Sequence, residues 1–320
     1  MNFFERIKRI FIKDKVKALP SESTDISKIV LLATRERDSE KVLEILHNHA
    51  YAMKSSDIVQ IIGHMPMKSR MSGIVISNKY ITPYDLAEFA LKKLDYSGKI
   101  DILEKFQHRL DLEDIYQLFN SLLPDQRLNA LRKCSDRFDS FGIAEVIKNY
   151  VPLYERLDAL NVYRSKLDGF SKATIIRKLD GEGKIKALEL YAKEINQNDL
   201  EDIVCETESD KMPDVLNMAY HYLSCNQIAD IIKYNIPEKR KLEMLYKCCY
   251  KLDSATISDL IKFSIPEENR EEALIALQNR MDKTNVGEVL QFCTKSLKVL
   301  KKVQHNLYPE DVEYFKSNIK

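Results

Sequence analysis

The side chains best able to do covalent or metal chemistry in this 320-residue chain are few and scattered. Six cysteines, Cys134, Cys205, Cys225, Cys248, Cys249 and Cys293, include no CxxC pair, so neither a thiol–disulfide exchange motif nor half of a zinc site is spelled out. Cys248 and Cys249 are adjacent, a spacing suited to redox chemistry, but Cys248 shares a repeat column with Phe106, Cys134 and Tyr163, the pattern of core filling. His47 and His49 stand two residues apart, and on an unbroken helix such side chains point to different sides and cannot share a metal. Asp180-Gly181-Glu182-Gly183-Lys184 comes nearest to a phosphate loop, yet no strand precedes it and its spacing does not aim successive N–H groups at one anion, so it reads as a turn. There is no GxSxG, HExxH, P-loop or GxGxxG. These residues predict a protein that is not an enzyme and uses neither cofactor nor metal.

What recurs is a two-helix unit, A then B. The A anchors are Ile29, Ile58, Leu86, Ile115, Ile143, Lys172, Leu200, Ile228, Ile257 and Val286, spaced by 28 or 29 residues. The B anchors are Leu46, Ile74, Leu103, Leu131, Leu160, Leu188, Leu216, Leu245 and Leu274, each 12 residues before the next A anchor. The one-residue variation therefore falls in the turn from A to B, which only has to reverse the chain. Seven residues beyond each B anchor comes another apolar side chain, among them Ile81, Leu110, Phe138, Leu252 and Met281, two helical turns along the same face. On A, offsets 0, 3 and 4 are apolar, as in Ile228, Ile231 and Ile232, an amphipathic helix pattern with no strand alternation. This register places Ile115, Leu131, Phe138, Ile228, Leu245, Leu252, Ile257 and Leu274 in the core. Pro124, Pro152, Pro237 and Pro266 mark the start of B, and Asp111, Asp139, Asp168, Asp253 and Asp282 fall where the chain turns into the next A, positions suited to capping.

Charge follows the same register. Four residues before the B anchor stand Arg70, Lys99, Arg127, Arg156, Lys184, Lys241 and Arg270. A cation in the first turn of a helix opposes the helix dipole, so this column predicts a ladder onto carbonyls at the ends of A helices or onto the acidic column Glu88, Glu145, Asp202, Asp230, Asp259 and Glu288, with an anion-binding row as the alternative. Two and six residues after the B anchor, on the face away from the core, are Lys105, Arg109, Lys133, Arg137, Lys166, Lys247, Lys251 and Arg280, against one acid, Glu194. These eight are candidates for partner binding; a solvated charged face is the other reading.

The elements that carry these rows set the class. With 44% hydrophobic and 31% charged residues, and only eight Gly and nine Pro, the chain can fill a core but lacks the turn residues of a β-sandwich. A net charge of +1 excludes general attraction to polyanions, so any nucleic-acid affinity must come from local rows. Cysteine usage predicts a reduced, cytoplasmic protein, and no apolar run reaches the ~18 residues of a membrane span. Residues 1–20 read as a basic amphipathic helix or cap, 21–307 as the repeat array, and 308–320 as a C-terminal cap or tail. Within the array, Lys172 at an apolar anchor, the cluster Gly169, Gly181 and Gly183, and an altered turn at 206–210 predict an irregular joint near 169–213. In the first segment Phe3, Phe4, Ile7, Ile10 and Phe11 form an apolar stripe flanked by Arg6, Lys8, Arg9, Lys13, Lys15 and Lys17, suited to an anionic membrane surface, a partner's groove or the open core of the first repeat.

The helical hairpins over about residues 27 to 307 resemble the HEAT and tetratricopeptide class of α-solenoids, although the unit is shorter than either and the chain has no Trp. The resemblance is one of architecture, and with the register it gives the expected fold: all-α, a right-handed superhelical α-solenoid of about ten two-helix repeats. With no catalytic motif in the chain, the expected function is a binding scaffold for a protein partner with no small-molecule substrate. The rival functions are a nucleic-acid-binding solenoid using the basic face of the B helices and a peripheral membrane protein anchored by residues 1–18.

Overall fold

The computed structural model describes residues 25–293 and 297–318, and all regular structure among them is helical. The chain divides between Asp139 and Ser140 into two compact units. The first contains four A–B pairs: α1 (Ile26–Arg35) with α2 (Ser39–His49), α3 (Ser55–His64) with α4 (Met67–Ser77), α5 (Pro83–Lys93) with α6 (Tyr96–Phe106), and α7 (Leu112–Ser121) with α8 (Pro124–Cys134). The second contains six: α9 (Ser140–Tyr150) with α10 (Leu153–Tyr163), α11 (Gly169–Ile176) with α12 (Gly181–Tyr191), α13 (Gln197–Cys205) with α14 (Met212–Ala219), α15 (Cys225–Asp230) with α16 (Glu238–Cys248), α17 (Ser254–Phe263) with α18 (Glu267–Leu277), and α19 (Lys283–Phe292) with α20 (Leu297–Val303); α21 (Pro309–Asn318) follows.

Within each unit A helices lie beside A helices and B beside B. Thus α3 packs on α1 and α5, and α4 on α2; in the second unit α17 packs on α15 and α19, and α16 on α14 and α18. The cause is the register. Every B anchor is at most 1% exposed, and all eight residues placed in the core by the sequence are buried. The A helices begin as expected: the carboxylates of Asp111, Asp168, Asp253 and Asp282 accept from the backbone N–H three residues on at 2.8 Å, satisfying a donor that the first turn leaves open. Helix B starts on Pro124 or one residue after Pro152, Pro237 and Pro266.

Two departures from regular helix bear on the surface. Most B helices tighten at their ends into a three-residue 3₁₀ turn, such as Gln107–Arg109, Ser135–Arg137, Cys249–Lys251 and Gln278–Arg280. The residue six after the B anchor consequently sits on that turn and not on the helix, because the rotation per residue has changed. In addition, the A helix that begins as α15 continues through a π-helical turn, Ile231–Asn235.

The stretch predicted to be irregular is close-packed. A Cβ on Gly169 would lie 2.2 Å from the carbonyl oxygen of Glu194, and one on Gly181 would meet the Lys211 side chain at 2.6 Å. Lys172 fills its apolar anchor position with its stem, 5% exposed, and reaches Glu194 Oε2 at 2.6 Å with its ammonium.

Candidate interaction surfaces

Six of the seven members of the basic column before the B anchor hold main-chain carbonyls; the seventh, Lys99, is 7% exposed and lies over the Tyr96 ring at 5.7 Å. Arg70 donates from Nε to Met65 O at 3.0 Å and from Nη2 to Gly63 O at 2.9 Å, at the end of its own A helix, and from Nη1 to Lys93 O at the end of the next. Arg156 does the same with Val151 O (3.0 Å) and Lys178 O (2.8 Å). Arg127, Lys241 and Arg270 each hold at least their own A-helix end. Lys184, 1% exposed, donates to Glu206 O at 2.8 Å and Thr207 Oγ1 at 3.2 Å, and its burial lowers the ammonium pKa. These cations satisfy carbonyls that every helix C-terminus leaves open and that would otherwise be costly inside a stack.

The outward row divides by residue type. Lys105, Lys133 and Lys247 face carboxylates of their own chain, Asp101 at 3.9 Å, Glu104 at 2.8 Å and Glu243 at 2.9 Å. The arginines reach backward to the turn of the preceding pair: Arg109 donates to Asn78 O and Ile81 O, Arg137 to Leu110 O at 3.1 Å, and Arg280 to Cys249 O at 3.1 Å while stacking over the Tyr250 ring at 5.2 Å. Lys166 and Lys251 are exposed. The structure brings together Lys105 and Lys133 on adjacent helices of the first unit with Arg109 and Arg137 on the 3₁₀ turns that end them, and Lys251 with Arg280 on successive turns of the second. Phe3, Phe4, Ile7, Ile10 and Phe11 lie outside the described residues.

A reciprocal link runs forward. Ser55, Ser140 and Ser254 stand at the first position of α3, α9 and α17, and each Oγ accepts from the backbone N–H of the N-cap residue one pair later, Thr82 (2.8 Å), Asp168 (2.9 Å) and Asp282 (2.8 Å). Sequence reading missed these serines, although they share one offset, three before the A anchor.

It also missed an exposed aromatic column. Six residues after the A anchor stand Tyr234, Phe263 and Phe292, 69%, 60% and 42% exposed, at the ends of three successive A helices that pack side by side. The rings of Phe263 and Phe292 meet edge-on with centroids 5.4 Å apart. One turn earlier on the same face are Asp230, Asp259 and Glu288, and Lys262, 9% exposed at its side chain, bridges Asp259 (2.9 Å) and Glu288 (2.8 Å) beneath the Phe263 ring. Burial pulls the Lys262 pKa down, but the two carboxylates together outweigh it and hold the ammonium above its ordinary value. The column was legible in the register, since its three members recur at 29-residue spacing.

Four of the six cysteines are buried. Burial pushes the thiols of Cys134, Cys248 and Cys293 up to about 12, so thiolate, the nucleophilic form, is scarce at neutral pH. Among the described residues no group of three or more His, Cys, Asp and Glu is placed to hold a metal. An open cleft of about 590 Å³ in the first unit is lined by Tyr84, Arg109, Asp111, Asp114 and Arg137, among others; both guanidiniums are engaged with carbonyls and Asp111 is the N-cap of α7. No helix among the described residues is long and apolar enough to cross a membrane. In comparison with known proteins, no family model and no curated sequence matches the chain.

Proposed function

We propose that this chain is a right-handed α-solenoid acting as a non-enzymatic scaffold that binds a segment of another protein, with the aromatic column Tyr234, Phe263 and Phe292 at the contact. The single observation that carries the reading is the exposure of three aromatic side chains at one register position on consecutive, side-by-side helices. Isolated apolar side chains on a surface need no explanation, but an exposed aromatic repeated at one register position on neighbouring helices does, and aromatic residues dominate the energetics of protein interfaces. The outward basic row supports a polyanion partner less well, because three of its lysines already face carboxylates and three arginines hold main-chain carbonyls.

The solenoid part of the reading rests on the A-to-A and B-to-B packing inside each unit and on the serine and arginine links between successive pairs. It predicts a radius of gyration in solution above the ~20 Å of a compact chain of this length; a value at or below that would exclude an extended stack. For the binding part, affinity capture from native cells compares the natural chain with the triple variant Tyr234→Ser, Phe263→Ser, Phe292→Ser. The expected result is loss of specific captured proteins with the folding midpoint unchanged. Identical capture by both chains would remove the aromatic column from consideration.

A further inference from the structure

The third residue after the A anchor is buried in every pair but the first. Within the first unit Ile61 is 0%, Phe89 5% and Leu118 0% exposed, whereas Leu32, at the same position of α1, is 65% exposed and its neighbour Leu31 is 48% exposed. Ile26, Ile29 and Val30 are only half-buried, which leaves Ala33 as the one fully buried residue of the helix. The reason is positional: α3 is covered by α1, and no helical pair among the described residues stands before α1 to cover it in turn.

We infer that the open apolar face of α1 is the docking site of this chain's own residues 1–18. Those residues are separated by only six positions in sequence from Asp25, the N-cap of α1. Their Phe3, Phe4, Ile7, Ile10 and Phe11 fall at helical spacing and supply the apolar stripe such a face requires. Residues 19–24 reach about 20 Å when extended, more than the ~15 Å length of a ten-residue helix, so the segment can return alongside α1. Pro20 in that connector opposes one continuous helix through the join. After the last pair of the second unit such a cover is present: α21 stands outside the pairs, packs on α20 and buries Phe315 to 7% exposure. End units of repeat arrays need such covers because each repeat buries its face only against a neighbour.

The test is amide exchange on the full-length natural chain and on a full-length variant in which Phe3, Phe4, Ile7, Ile10 and Phe11 are all Ser, with α5–α8 as the folding control. In the natural chain residues 26–35 are protected, and in the variant their exchange accelerates at least tenfold while α5–α8 are unchanged. Unprotected α1 in the natural chain, or equal protection in both chains, overturns the inference. Protection of α1 that falls on 100-fold dilution shows a second copy supplying the segment and overturns it too. So does protection that appears only with vesicles containing phosphatidylserine, which places residues 1–18 on a membrane. Leu32→Ser reads the face from the other side should the fivefold variant fail to fold. A covered Leu32 gives a fall in melting midpoint of at least about 2 °C, and an unchanged midpoint means that nothing covers it.

Discussion

Two stretches of the second unit solve the same packing problem with different residues. From α15 to α18 the anchors Ile228, Leu245, Ile257 and Leu274 are apolar and wholly buried. From α11 to α14 one anchor is Lys172, 5% exposed, and Gly169 and Gly181 stand where a Cβ would meet a neighbour within 3 Å. Both stretches pack A on A and B on B. The difference shows that a repeat column demands volume at the right angle more than apolar character: a lysine stem satisfies it provided the ammonium reaches a carboxylate or carbonyl at the rim.

The largest effect expected from breaking this comparison is in the regular stretch. Leu245→Ala should lower unfolding free energy by about 2 to 5 kcal/mol in denaturant titration, because a fully buried anchor leaves a cavity that its neighbours cannot fill; a loss below about 0.5 kcal/mol would mean that the register does not describe the core. In the irregular stretch Lys172→Met should stay within about 1.5 kcal/mol of the natural chain, since it keeps the volume and removes a buried charge. Gly169→Ala should cost about 1 to 3 kcal/mol, because its Cβ would stand 2.2 Å from Glu194 O and the opposing group is backbone. The same substitution at Gly63, where the nearest atom to a Cβ is Phe89 Cε2 at 3.7 Å, should be neutral or stabilising by up to about 1 kcal/mol. If both glycines tolerate Ala equally, the close approach at Gly169 does not set it apart from an ordinary helical glycine.

A smaller effect tests the links between pairs. Ser254 Oγ accepts from Asp282 N and from Asn285 Nδ2, both at 2.8 Å, whereas Gly169 occupies the equivalent position in α11. Ser254→Ala should therefore cost about 1 kcal/mol in the same titration, and a neutral result would show that the serine links are incidental to stacking.

The helices, their pairing and the buried columns were legible in the sequence because each depends on local spacing, which repetition amplifies. Ile58, Leu131 and Leu274 are placed by the register alone and are all 0% exposed. The cap at Asp253 and the carbonyl ladder at Arg70 and Arg156 were likewise legible, since an open helix end predicts the partner it needs. Three things were not. The 3₁₀ turns that carry Arg109 and Arg137 leave the apolar pattern intact, so offset 6 was placed on helix B. Gly169 marks either a hinge or a close approach, and both need the same missing Cβ. The exposure of Tyr234, Phe263 and Phe292 escaped notice because aromatic residues at helix ends are as common in cores as on surfaces, and only the neighbours decide.

The finest test concerns a property that the two stretches share. Asp168 caps α11 in the irregular stretch; Asp253 and Asp282 cap α17 and α19 in the regular one, and each carboxyl is held below its ordinary pKa first by the backbone N–H it accepts, from Ser171, Thr256 and Asn285 respectively. The folded pKa is depressed, so each cap contributes stability that is fully present above the unfolded value of about 3.9 and is lost as pH falls through the folded value. These side chains stand at the surface, and solvent screening keeps each contribution below about 1 kcal/mol. Asn caps a helix about as well as Asp but does not titrate in this range. Asp168→Asn and Asp253→Asn should therefore leave stability at pH 7 nearly unchanged and each flatten the decline between pH 4 and pH 2 by a similar small amount. A flattening confined to Asp253→Asn would show that the irregular stretch does not depend on its cap, and that Lys172 and the close-packed glycines hold α11 in place without it.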